Sequence, residues 1–104
     1  MASRVIVLTK LKDGVDVAEY EAWVNSVDYP VARSQPPILR YEIYRAEQRL
    51  LADTAELTYD YVEIIDVSDV AAYLEAASTA EMQEMLGQWG ERIGSFVAFS
   101  SELV

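Results

Sequence analysis

Arg4-Val5-Ile6-Val7-Leu8-Thr9-Lys10, residues 4–10, is a run of four aliphatic side chains closed by polar residues at both ends. A strand sends successive side chains to opposite faces, so Val5 and Val7 oppose Ile6 and Leu8. Both faces are oily, which reads as a strand covered on both sides. The stretch from Phe96 to Leu103 repeats the pattern as a final strand, with Phe96 and Ala98 against Val97 and Phe99.

Between these strands the punctuation is regular. Lys12-Asp13-Gly14 predicts a turn, and Asp16 followed by Glu19 has the spacing of a capping box that starts a helix. Val17, Tyr20, Val24 and Val27 form its apolar face, with Trp23 beside them, until Pro30 forces a break or a new short helical turn near Asp28-Tyr29-Pro30. After Pro36-Pro37, Ile38 to Arg45 alternates as a strand, with Leu39, Tyr41 and Ile43 on one face and Arg40, Glu42 and Tyr44 on the other. Residues 46–58 read as a hairpin connection with some strand at its start.

Tyr59 to Val67 is the next strand, with Tyr59, Tyr61, Glu63 and Ile65 on one side and Val62 and Ile64 on the other. Ser68-Asp69 caps a short helix through Ala77. Ser78 with Glu81 makes a second capping pair that restarts a helix near Thr79. Its apolar face is Met82, Met85, Leu86, Trp89 and Ile93, weakened by Gly87 and Gly90 and stopped at Gly94. The order is strand, helix, strand, strand, helix, strand. That is an α+β, ferredoxin-like βαββαβ arrangement with a four-stranded antiparallel sheet, as one domain over residues 1–104.

Two helices cover one face of such a sheet. Leaving the other face in water would expose several large side chains, each forfeiting roughly 1.5–3 kcal/mol of burial. A second copy packed sheet to sheet removes that exposure, so a homodimer is expected. The alternative is a monomer whose second face is covered by residues 46–58 and the C-terminal tail, a segment short and polar for the task.

Just over half of the 104 residues are apolar and a quarter are charged, the balance of a folded domain. Eighteen acidic residues against eight basic ones leave a net charge of -10, which repels nucleic-acid phosphates and anionic lipid headgroups. Neither nucleic acid nor membrane is therefore expected as a partner. The chain has no cysteine and no histidine. Disulfides, thiolate nucleophiles, His-ligated metals and Ser-His-Asp machinery are excluded, and acid–base work falls to Asp, Glu, Lys, Tyr or water. There is no phosphate-binding glycine loop and no dinucleotide fingerprint, so no metal, flavin or nicotinamide is expected. The apolar run after Met1-Ala2-Ser3-Arg4 is too short for a signal peptide or a membrane span, and the expected location is cytoplasmic.

Glu63 sits mid-strand between Val62 and Ile64, where burial would raise its pKa and make it a general acid or base. It could equally pair with Arg40, Arg45 or a tyrosine. Asp28, Tyr29, Pro30 and Arg33 cluster at the helix break as a candidate pocket rim, although Asp28 could simply cap a turn and Arg33 could be solvated. Trp23, Tyr41, Tyr61 and Trp89 could line a cavity between sheet and helices suited to a flat apolar ligand, with Tyr29 and Phe96 as further aromatic contacts. Asp66 and Asp69 resemble a metal pair but stand at a helix start, where carboxylates are expected anyway.

Asp28-Tyr29-Pro30 with Arg33, then Tyr61-Val62-Glu63-Ile64-Ile65-Asp66-Val67 with Asp69, Thr79 through Met82-Gln83, and Phe96 to Leu103 resemble the REDY-like family. Its members are associated with the biosynthesis of prodiginine and related pyrrole or indole pigments. The resemblance implies a dimeric α/β barrel, a superfamily that also holds cofactor-free monooxygenases, isomerases and cyclases with ligand cavities between sheet and helices. Asp28, Pro30, Arg33 and Glu63 match the family pattern, and the missing histidine excludes any His-dependent relative's mechanism. The expected function is a cofactor-independent enzyme or tailoring protein for a small, reactive aromatic intermediate. Glu63 or Asp28 would move a proton and Arg33 would hold an anionic group. A non-catalytic ligand-binding protein and a cofactor-free monooxygenase are the alternatives.

Overall fold

A computed structural model describes residues 2–51 and 58–104. The elements run β1 (Ser3–Leu11), α1 (Val17–Trp23), a π-helical turn (Val24–Asp28), α2 (Tyr29–Arg33), β2 (Ile38–Arg45), β3 (Tyr61–Val67), α3 (Val70–Ala76), α4 (Ala80–Arg92) and β4 (Ile93–Ser101). The strands form one antiparallel sheet in the order β2-β3-β1-β4. This is the ferredoxin-like βαββαβ architecture that the patterning predicts.

Directly opposed residues share a face in an antiparallel ladder. Val5, Val7 and Thr9 lie across from Ile65, Glu63 and Tyr61, and Tyr41 and Ile43 lie across from Ile65 and Glu63. This face carries the helices, and Tyr20, Trp23, Val24, Ala32, Met82 and Met85 pack onto it as the core. The opposite face presents Ile6, Leu8, Val62 and Ile64, all half-buried, with Val97 and Phe99 exposed beside them. Among the described residues the helices leave this oily surface bare, and the exposed tail residues Leu103 and Val104 do not cover it.

Pro30 stands in a new short helical turn, one of the two outcomes expected there, while other details differ from the expectations. The chain passes through a π turn in which the Tyr29 N–H reaches back to the Val24 carbonyl, and α2 resumes with Pro30 in its first turn, where a missing N–H costs little. The wider turn keeps Asp28 on the inward stripe of Tyr20 and Val24. Val17, expected on that stripe, is exposed.

Leu39 does not share a face with Tyr41. A register shift between Ile38 and Arg40 turns Ile38 inward and leaves Leu39 61% exposed. α4 is capped by the Thr79 hydroxyl, which accepts from the Met82 N–H, while the Ser78 hydroxyl donates to the Glu75 carbonyl. Gly94 is not a helix stop. Ile93 already has extended backbone, and Gly94 sits in a bulge of β4 against the end of β1, where an added Cβ would meet Lys12 Cα at 3.2 Å. β4 therefore starts earlier than Phe96 and ends at Ser101, and β3 starts at Tyr61 rather than Tyr59. Of the expected hairpin connection over 46–58, residues 46–51 carry no strand, contrary to the expectation, and residues 52–57 lie outside the described residues. No helix among the described residues is long and apolar enough to cross a membrane.

Candidate functional site

β3 alternates strictly, and its inward series Tyr61, Glu63, Ile65 and Val67 is buried throughout. Period-two geometry thus commits Glu63 to the interior, where 3% of it is exposed. Asp28 enters from the opposite layer at the end of the π turn and is fully buried. Tyr41 on β2 stands between them. Its hydroxyl lies 2.8 Å from Asp28 Oδ1 and 3.3 Å from Glu63 Oε1. The hydroxyl has one proton, which can turn to either carboxylate, the shorter contact being to Asp28. Trp89 of α4 closes the far side, its indole N–H donating to Glu63 Oε2 at 3.4 Å.

Burial sets the electrostatics. Desolvation first, and the neighbouring Asp28 charge second, push the Glu63 carboxyl up to about 8, against hydrogen bonds from Trp89 and Tyr41 that favour its ionised form. Desolvation raises Asp28 to about 6, opposed by the Tyr41 hydrogen bond and the Arg33 charge. Both carboxyls are thus held above the ordinary carboxylate range, Glu63 further than Asp28. Asp28 Oδ2 has no hydrogen-bond partner among the described residues, and neither do the buried Tyr20 hydroxyl and Thr9 Oγ1. Unmatched buried polar atoms are costly, and an orphaned carboxylate oxygen is an acceptor ready for a donor brought from outside.

The other expected site residues divide. Arg33 is exposed and sends Nε and Nη2 to the Tyr41 carbonyl at 3.1 and 2.8 Å, with its guanidinium 3.8 Å over the Tyr29 ring. Tyr29 meets Tyr41 edge to face, with ring centroids 6.1 Å apart. Trp23 is core, its N–H spent on Gln88. Tyr61 is buried and donates to Glu21, which the Arg45 guanidinium grips with two 2.7 Å bonds. That grip and the tyrosine hydrogen bond hold Glu21 down at about 2. Trp89 packs edge-on against Phe96 at 4.9 Å, and Phe96 is 57% exposed on an edge strand. Tyr41, Trp89 and both acids thus converge, while Trp23, Tyr61 and Phe96 surround them at a remove.

Two open grooves flank this region. One of about 350 Å³ is lined by Arg33, Ile38, Leu39, Arg40, Tyr41 and Glu42. The other, about 200 Å³, has Val24, Tyr29, Ile43 and Tyr61 beneath a polar rim. Tyr41 lines the first groove and carries the hydroxyl that joins the acids. Sequence reasoning offered Glu63 a tyrosine partner but missed the bridge from Tyr41 to Asp28, because no local signal says where an inward tyrosine ends. Among the described residues no group of three or more His, Cys, Asp or Glu could hold a metal ion. Asp66 instead takes two bonds from Arg4 on the bare face, and Asp69 caps α3.

A family model described as REDY-like protein HapK matches residues 3–104. Among solved structures, the chain is similar to HapK from Hahella chejuensis, at 24% identity over 96% of this chain and 92% of that one, with a TM-score of 0.74. It is similar to a dimeric ferredoxin-like protein of unknown function from Thermobifida fusca, at 16% identity, 99% and 92% coverage and a TM-score of 0.75. A hydroxynitrile lyase from Passiflora edulis matches at 12% identity, 99% and 94% coverage and a TM-score of 0.80. At these identities the likenesses are of fold. No curated protein matches the sequence.

Proposed function

The chain belongs to the REDY-like HapK family, and from that premise we propose that it is a cofactor-independent enzyme moving protons on a small, reactive pyrrole- or indole-type intermediate of pigment biosynthesis. One observation carries the reading: two buried carboxyls of different proton affinity share the Tyr41 hydroxyl. Groups whose environments push their pKa values apart make a matched acid and base. Asp28 accepts a proton from the ligand, Glu63 supplies one, and Tyr41 links them. Trp89 orients Glu63, and Trp23, Tyr29, Tyr61 and Phe96 keep water from the reacting atoms.

The working form is a homodimer. Its support is the bare oily face of the sheet and the dimeric state named for a structural relative. Desolvation of Ile6, Leu8, Val62, Ile64, Val97 and Phe99 against a second copy supplies the driving force.

The test uses 2-acetylpyrrole and 3-acetylindole in D₂O, with exchange of the methyl protons followed by NMR. The protein should accelerate exchange and Glu63→Gln should not, with the variant still dimeric. Acceleration that survives Glu63→Gln removes Glu63 from the mechanism. A second reading, a non-catalytic carrier of the same ligands, is favoured by how completely both carboxyls are shut from solvent. Saturable binding of either ketone without exchange selects it.

A further inference from the structure

β2 is an edge strand, so one row of its backbone groups has no partner strand among the described residues. At Tyr41 and Ile43 side chains take the place of that strand. The Tyr29 hydroxyl accepts from the Ile43 N–H at 3.0 Å and lies 3.3 Å from the Ile43 carbonyl. Arg33 grips the Tyr41 carbonyl with two donors, and its guanidinium stacks on the Tyr29 ring. Tyr29 and Arg33 stand one helical turn apart on α2, so one short helix clamps two alternate residues of β2.

Both ends of the clamp lead to the acid pair. Asp28 immediately precedes Tyr29 in the chain, and Tyr41 carries the hydroxyl that meets Asp28 and Glu63. We propose that Arg33, with Tyr29, is a positioning residue that acts through Tyr41, holding its phenol in register with the two buried carboxyls. This rests on the proton-transfer reading for its purpose but not for its test. A lysine cannot replace the arginine, because its point charge lacks the planar fork and the stacking face.

The experiment is a double-mutant cycle of Arg33→Lys with Tyr41→Phe, reading the carboxyl ¹³C titrations of Glu63 and Asp28. Arg33→Lys keeps the positive charge and loosens the grip. Both midpoints should rise by about 0.5–1 pH unit, the equivalent of one weakened hydrogen bond. In the Tyr41→Phe background the same substitution should move neither midpoint. Tyr29→Phe, which keeps the ring and loses the hydroxyl, should shift them in the same direction. An Arg33→Lys shift that persists without the phenol overturns the proposal, as does no shift in either background. Ketone exchange is measured separately, so a protein that fails to exchange protons can still pass or fail this test.

Discussion

Asp28 and Glu63, 0% and 3% exposed, share a single phenolic hydroxyl between them. One hydroxyl proton serves two acceptors, so the protonation of one carboxyl governs what the other can accept.

Removing that hydroxyl isolates both acids. Tyr41→Phe leaves Asp28 without its one donor among the described residues, where its second oxygen has no partner either. Chemical denaturation should show a loss of about 1–3 kcal/mol, and both carboxyl midpoints should rise. A fully stable variant would mean that water replaces the phenol.

Stability should depend on pH with a falling limb. Glu63 titrates at about 8 in the folded chain against an ordinary 4.5, and Asp28 at about 6 against 3.8. Between those limits the folded state binds more protons than the unfolded state, so stability declines as pH rises toward 8. Glu21 and Asp66 act in the opposite sense, both lowered by arginine hydrogen bonds, and their contribution disappears as pH falls below the ordinary carboxylate range. Maximum stability should therefore lie at mildly acidic pH. Glu63→Gln should flatten the limb between pH 5 and 8 in melting curves recorded across that range.

The bare face of the sheet should be where copies meet. Phe99→Glu and Ile64→Glu place charges among Ile6, Leu8, Val62 and Val97. Sedimentation should show them reduced to the 11.7 kDa species. Leu74→Glu, at an exposed position on α3, should leave the dimer intact. A wild-type chain that sediments as a monomer at micromolar concentration would contradict the assembly outright.

The glycines should separate by position. Gly87→Ala and Gly90→Ala add a methyl group into open space on α4 and should stabilise the chain by about 0.5–1 kcal/mol each. Gly94→Ala pushes a Cβ against the backbone of Leu11 and Lys12 at 3.2–3.3 Å and should destabilise it. Thermal melts of the three variants decide this.

Much of the fold was legible because alternation and capping are local. The strict pattern of β3, the Asp16 and Asp69 caps and the oily faces of β1 all survive in the structure. The errors fell where one residue decides between two local solutions. The bulge at Ile38–Arg40 reversed Leu39, and Gly94 serves a close approach to β1. Each of these is settled by a neighbour distant in sequence, which no window along the chain contains.

The amino-acid order alone determined the element sequence, the absence of thiol and imidazole chemistry, and which residues of β3 share a face with Glu63, since side-chain period and composition need no partner. Only the tertiary structure decided that Asp28 and Glu63 meet at Tyr41, and that Arg33 grips a β2 carbonyl. Those contacts join layers separated in the chain, and their energies depend on burial, which exists only once the sheet and helices have packed.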